Sequence, residues 1–191
     1  MRIPVSVILL LVLVGGSGFA LSGNRDGEAT RQQVVAWEQR LGGRLGALAL
    51  DTGSGRQVVY RGDERFPMAS TFKVMLAAQV LSRVDGGTEQ LARRISFCEQ
   101  DLLAWAPVAR ARLQEKALSV HDLCQALIVH SDNTAANLLL AAVGGPGGLT
   151  AYARSSGDPV FRLDRNEPTL NEAAPGDERD TTSPAAMVAS L

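Results

Sequence analysis

Lysine is almost missing from this chain: among 191 residues there are 2 lysines against 17 arginines. Arginine is effectively always protonated and cannot take up a proton, so an amine acting as a base has to be one of those two lysines. Histidine is as scarce. His121 and His130 stand nine residues apart, without the paired His or Cys spacing of a metal site, which makes zinc a poor reading; no cofactor is expected. The two cysteines, Cys98 and Cys124, could pair in an oxidising compartment, but we expect two buried free thiols. Charge of one sign is lacking too: the net charge is -1 at pH 7 and acidic and basic residues are interspersed. That gives no electrostatic case for nucleic acid or another extended anionic partner, and a small molecule is the expected ligand.

Internal repeats and low-complexity tracts are absent, and there is one long apolar run, residues 5–14. It has about half the ~20 residues a membrane span needs. With Arg2 before it and Gly18-Phe19-Ala20 after it, residues 1–20 read as a secretory signal peptide cleaved after Ala20. No cysteine follows the small residues, which argues against a lipid anchor. The mature chain is expected to be exported, to a periplasm or the outside, with no membrane attachment after cleavage.

The remaining length suits one domain or two small lobes. Residues 30–41 read as an amphipathic helix closed by Gly42-Gly43. Residues 45–50 and 57–61 are β-like and flank the turn-rich Asp51-Thr52-Gly53-Ser54-Gly55, which predicts a hairpin. An almost wholly apolar run from Phe72 to Val80 predicts a helix buried on all sides, ending at Asp85-Gly86-Gly87. Beyond it we expect helices and loops with no clear strand: 119–130, opened by a capping box at Ser119, then 134–143, stopped by Gly144-Gly145-Pro146-Gly147-Gly148, then 149–156. Ser183-Pro184 starts a last helix in which Leu191 ends the chain. Two strands alone make a marginal sheet, so the chain reads as incomplete.

Three constellations carry chemistry. Ser70-Thr71-Phe72-Lys73 puts a hydroxyl and an amine on one side of the apolar helix. There desolvation favours neutral Lys73, which could accept the Ser70 proton, and the helix N-terminus favours a developing oxyanion. Taken alone the pattern reads first as a helix cap with a snorkelling lysine. Ser131-Asp132-Asn133 falls in the break between two helices; alone it is an ordinary helix start. Arg165-Asn166-Glu167-Pro168-Thr169-Leu170-Asn171, running on through Asp177-Glu178-Arg179-Asp180, has no regular periodicity and reads as a compact surface loop. Glu167 in it could serve as a general base, with the Asn171 amide fixing a water; a solvated loop of scattered charge is the plainer alternative.

In that order the three motifs resemble the class A serine β-lactamases, a signature that pairs S-x-x-K with S-D-N. The likeness extends through Asp101-Leu102, Pro107-Val108, Asn133-Thr134-Ala135-Ala136-Asn137-Leu138-Leu139-Leu140 and Asp177-Glu178-Arg179-Asp180-Thr181-Thr182. It implies an α/β (α+β) fold of the β-lactamase/transpeptidase type: an antiparallel sheet flanked by helices, of which only the first two strands are expected here, plus an all-helical lobe. Residues 21–68 would be the first helix and hairpin, and residues 69–191 the mostly helical lobe with its Ω-loop, 165–180. The rest of the α/β lobe would be missing.

The implied mechanism gives Ser70 as nucleophile and Lys73, or Glu167 through a water, as the acylation base. Ser131 would protonate the leaving nitrogen, and Glu167 with Asn171 would activate the hydrolytic water. Asn133 would bind the substrate side-chain amide, Trp105 would stack on substrate or merely pack, and Arg165 with Asp180 would close the loop. A monomer acting on a β-lactam is implied. A penicillin-binding or D-alanyl-D-alanine peptidase relative is the rival in chemistry, disfavoured by Glu167 and Asn171; a non-catalytic remnant is the rival of another class. No Lys-Thr-Gly or Lys-Ser-Gly follows Asp180. In the family that strand binds the substrate carboxylate, with a second oxyanion donor just beyond it, so the chain alone is expected to fold poorly and turn over little. Asn166 replaces a bulkier residue usual beside the glutamate, and Ala69 removes the disulfide some members carry there; both leave substrate range open.

Overall fold

A computed structural model describes residues 7–13 and 23–191. In chain order the elements are β1 (Val7–Leu13), α1 (Gly23–Leu41), β2 (Leu45–Asp51), β3 (Gln57–Tyr60), β4 (Phe66–Pro67), α2 (Phe72–Asp85), β5 (Arg94–Ser96), α3 (Pro107–Ala111), β6 (Ala117–Ser119), α4 (Val120–His130), α5 (Asn133–Ala142), α6 (Gly145–Ser155), β7 (Thr181–Thr182) and α7 (Pro184–Ala189). They form two compact units. One holds the chain up to Pro67 with Asp158–Phe161 and Thr181–Leu191; the other holds Met68–Gly157 and Arg162–Asp180.

In the first unit β2 pairs antiparallel with β3, Ala47 opposite Tyr60 and Leu50 opposite Gln57, as the hairpin pattern predicts. The Asp51 carboxylate accepts from the Gly53 N–H at 3.0 Å and so shapes the turn. Gly46 stands inside β2 because the Phe66 ring lies where its Cβ would be, 2.3 Å from Cε2. A network of Arg61, Tyr60 and Glu38 ties α1 to β3, the Glu38 carboxylate accepting from the Tyr60 hydroxyl at 2.5 Å and from Arg61 Nε at 2.9 Å. Helix α7 starts at the expected cap, Ser183 Oγ accepting from the Ala186 N–H. It ends at Ala189, with Ser190 as its C-cap, so Leu191 lies just outside it.

The sheet is larger than the hairpin alone. β1 runs parallel to β2 over seven pairs, from Val7 opposite Leu45 to Leu13 opposite Asp51, while β4 and β7 form a separate two-stranded sheet. In the second unit β5 pairs with β6. A ladder two or three residues long carries too little alternation to show in sequence, and an unbroken apolar run such as Val7–Leu13 has no period to read. The signal-peptide cleavage point at Ala20 lies outside the described residues, and no helix among the described residues is long and apolar enough to cross a membrane.

The second unit is mainly helical, its core built from Phe72, Met75, Leu76, Leu123, Leu127, Leu139, Leu140 and Leu149. Two expectations fail here. Helix α2 is not buried all round: Val74 and Leu81, seven positions apart on one face, are 40% and 47% exposed. The apolar run predicted burial from composition, whereas one stripe of the helix is left exposed among the described residues. The Gly144–Gly148 segment stops α5 as expected, but it also begins α6, which starts at Gly145 and not at residue 149: Gly144 and Gly145 take positive φ and Pro146 enters the first turn. Gly148 permits the tight approach, since a Cβ there would meet the Val143 carbonyl oxygen at 2.3 Å.

Both cysteines are free, but Cys98 is exposed where burial was expected, because it caps a short 3-10 turn at the surface; Cys124 is half-buried.

Candidate active site

Ser70 lies in a single 3-10 turn, Ala69–Thr71, which leads into α2. Ala69 has φ +43, unusual for a residue with a Cβ. The turn is pinned around it: the Met68 N–H donates to the Asp180 carbonyl at 2.9 Å, and Thr71 N–H and Oγ1 both donate to the Met68 carbonyl. Three residues on, in the first turn of α2, the Lys73 side chain points to the same side as the Ser70 hydroxyl, Nζ lying 3.2 Å from Oγ.

Ser131 and Asn133 come from the break between α4 and α5. Asp132 is fully buried and organises this break, accepting from the N–H groups of Val108 (2.9 Å), Ala109 (3.0 Å) and Ala135 (2.9 Å). One carboxylate thereby caps both α3 and α5. Ser131 is held in the left-handed region (φ 53, ψ 36) as the C-cap of α4. Its hydroxyl donates to Ser70 Oγ at 3.0 Å.

Lys73, 2% exposed, is the hub. Its Nζ donates to Ser70 Oγ (3.2 Å), Ser131 O and Oγ (both 2.9 Å) and Asn133 Oδ1 (2.6 Å), and lies 3.3 Å from Glu167 Oε1. An ammonium has three protons to share among those five oxygens. Burial pushes the Lys73 amine below its ordinary 10.5, and the neighbouring Glu167 carboxylate works in the opposite direction. The neutral amine, and with it a place for the Ser70 proton, is therefore within reach at lower pH than for a solvated lysine.

Glu167 is 4% exposed and sits on the 164–180 loop, followed by a cis peptide to Pro168. Asn171 Nδ2 donates to Glu167 Oε2 at 2.7 Å. Oε1 has the Lys73 ammonium beside it and no hydrogen bond from any protein donor, so it keeps an acceptor to spare. The loop ends are joined through Asp180, also fully buried, whose carboxylate accepts from the N–H groups of Asp164 and Arg165 and from Arg165 Nε at 2.6 Å.

Six of the residues marked in the sequence, Ser70, Lys73, Ser131, Asn133, Glu167 and Asn171, thus form one connected cluster. Arg165 and Asp180 form a separate pair that shapes the loop. The Trp105 side chain takes no part in the cluster's side-chain hydrogen bonds: the residue is 60% exposed and its indole N–H donates to the His130 carbonyl at 3.1 Å. Two organising residues lay inside quoted motifs without being singled out. Asp132 is one. Asn137 is the other: its Nδ2 donates to the Glu167 carbonyl at 2.9 Å and its Oδ1 accepts from the Glu167 N–H at 3.0 Å. The signal for Asp132 was its N-cap position; for Asn137, one turn into α5, nothing local pointed to a distant loop. Among the described residues no group of three His, Cys, Asp or Glu side chains is placed to hold a metal ion.

Chemically, the cluster joins a hydroxyl, a buried amine and a buried carboxylate in one chain of contacts, with a second hydroxyl beside the first. That is a nucleophile with two candidate bases and a proton donor.

A model of the β-lactamase enzyme family matches residues 29–191. Among solved structures, the chain is similar to an ancestral class A β-lactamase (GNCA) at 59% identity and a TM-score of 0.82, over 84% of this chain and 62% of that one. It is similar as well to PenP from Rhodopseudomonas palustris, a class A β-lactamase by assignment, at 52% identity and a TM-score of 0.83, over 85% of this chain and 62% of that one. This chain therefore spans less than two thirds of the length of the structures it matches.

Proposed function

The chain belongs to the β-lactamase enzyme family, and from that premise we propose that its site opens β-lactam rings by acylation of Ser70 and hydrolysis of the resulting ester. The observation that carries this reading is the position of one buried nitrogen, Lys73 Nζ, 3.2 Å from the Ser70 hydroxyl and 3.3 Å from the Glu167 carboxylate.

In the first step Ser70 Oγ bonds to the lactam carbonyl carbon as the C–N bond breaks. The Ser70 proton goes to neutral Lys73, or to Glu167 through a water, and the Ser131 hydroxyl supplies the proton that the departing nitrogen needs. Lys73 Nζ at 2.9 Å can restore that proton to Ser131. In the second step Glu167 takes a proton from water, whose oxygen attacks the ester, and Ser70 leaves with its hydrogen regained. Asn171, 2.7 Å from Glu167 Oε2, is placed to hold that water, and Asn133 to bind the substrate amide. The buried Glu167–Asn171 pair favours a hydrolase over a penicillin-binding relative whose acyl-enzyme persists.

Export, cleavage near Ala20, a periplasmic or secreted location, a monomeric state and a role in β-lactam resistance belong to the same proposal and rest on the N-terminal sequence pattern and the family. The strand motif Lys-Thr/Ser-Gly does not occur in these 191 residues.

Intact-mass measurement after mixing with a penicillin tests the reading. Glu167→Gln is expected to accumulate one adduct of the drug's mass on Ser70, and Ser70→Ala none. No adduct on the folded Glu167→Gln chain at saturating drug would instead mark a remnant without catalysis.

A further inference from the structure

Trp105 touches both sides of the Ser131 loop. Its carbonyl accepts from the Asn133 N–H at 3.0 Å, and its indole N–H donates to the His130 carbonyl at 3.1 Å. The two contacts bracket Ser131 and Asp132. We propose that Trp105 is a positioning residue for Ser131, acting through the peptide that joins His130 to Ser131; this rests on the acylation chemistry proposed above.

The His130 carbonyl belongs to the last turn of α4, where helix carbonyls lack an intrahelical partner. Its partner is the indole. That bond holds the carbonyl edge of the His130–Ser131 peptide while the Ser131 N–H to Ala126 carbonyl bond holds its other edge, and together they fix the peptide plane and so one of the two rotations that aim the Ser131 side chain. Ser131 needs such a hold, because φ 53 is a conformation that residues with a Cβ rarely adopt. Its other restraints act on the far side or from within the helix: the Ser131 and Asp132 N–H groups both donate to the Ala126 carbonyl, and Asp132 is locked by its own carboxylate. Among the described residues, the indole is the side chain that fixes the carbonyl just before Ser131.

The aim matters because Ser131 makes three contacts at once: its hydroxyl donates to Ser70 Oγ at 3.0 Å, and its hydroxyl and carbonyl oxygens each lie 2.9 Å from Lys73 Nζ. A small rotation of the His130–Ser131 peptide would break that set. The exposure of the ring supports the same reading. A residue 60% exposed adds little packing, so the hydrogen bond of its indole is what the side chain contributes to the fold.

The test replaces Trp105 by benzothienylalanine, which keeps the two-ring shape and puts sulfur in place of N–H, with Trp105→Phe as a second variant. Acylation by a fluorescent penicillin should slow about three- to ten-fold, the worth of one neutral hydrogen bond. With benzothienylalanine, which keeps the ring face, the non-covalent affinity and the adduct lifetime should stay as in the parent. Hydrogen exchange at the Ser131 and Asp132 amides of the free chain should speed up. Unchanged acylation and exchange would overturn the proposal, as would a loss confined to affinity, which would make the ring a stacking surface only. If the parent forms no adduct, the function proposed above fails, and the exchange measurement alone decides this one.

Discussion

Asn137 grips the backbone of Glu167 from both sides, donating to its carbonyl at 2.9 Å and accepting from its N–H at 3.0 Å. Helix α5 thereby sets the height of a carboxylate that belongs to a loop. Asn137→Leu keeps the volume but strands both groups, at about 1–3 kcal/mol for each buried polar group left unpaired. Urea unfolding should show a loss in that range. Adduct lifetime should lengthen more than acylation slows, because the grip holds Glu167 and not Ser70.

The depressed Lys73 amine makes a prediction about pH and stability. Between its lowered folded value and 10.5 the unfolded chain binds the proton that the folded chain has released. Stability therefore gains with rising pH through that window, and the burial penalty is fully present below it. Lys73→Met should remove this rising contribution in unfolding experiments from neutral to alkaline pH. Lys73→Arg, which cannot release its proton, should lower acylation by about 10²- to 10⁴-fold.

Glu38 runs in the opposite direction at acid pH. The Arg61 guanidinium, and after it the Tyr60 hydroxyl, hold its carboxyl down to about 2, from 4.5. Its contribution to stability is present above 4.5 and is lost as pH falls toward 2. Glu38→Gln is expected to flatten the stability profile across that window while leaving the catalytic cluster intact, which unfolding curves at several acid pH values would check.

The thiols should separate by rate. Burial pushes Cys124 up to about 11, so at pH 8 its thiolate is scarce, and Cys98 is exposed. Iodoacetamide should therefore label Cys98 first, as peptide mapping would show; equal labelling would mean that Cys124 is open to solvent.

Residues whose neighbours in sequence are also their partners were legible. Ser119 announced α4 because an N-cap acts within its own turn, and Gly86-Gly87 announced the end of α2. Ser70 and Lys73 were legible because helical spacing fixes their distance. Asn137 was not, since its partner lies 30 residues away. The Gly144–Gly148 segment marked the end of α5 but hid the start of α6, because glycine usually breaks helices, whereas Gly148 inside α6 is required by its close approach to the Val143 carbonyl. The buried helix misled in a related way: apolar composition states what α2 would bury, not what is there to cover it.

That last point reaches beyond the fold. Val74 stands next to Lys73 in sequence, so the helix that aligns the reacting groups on one face offers an uncovered apolar stripe on another. Fully burying a side chain such as Val74 or Leu81 is worth about 1.5–3 kcal/mol, and a detergent tail or a misfolded neighbour would gain a share of that as readily as a proper partner. Solubility and catalytic alignment are therefore not separate properties in this chain: they meet on the same four turns of α2.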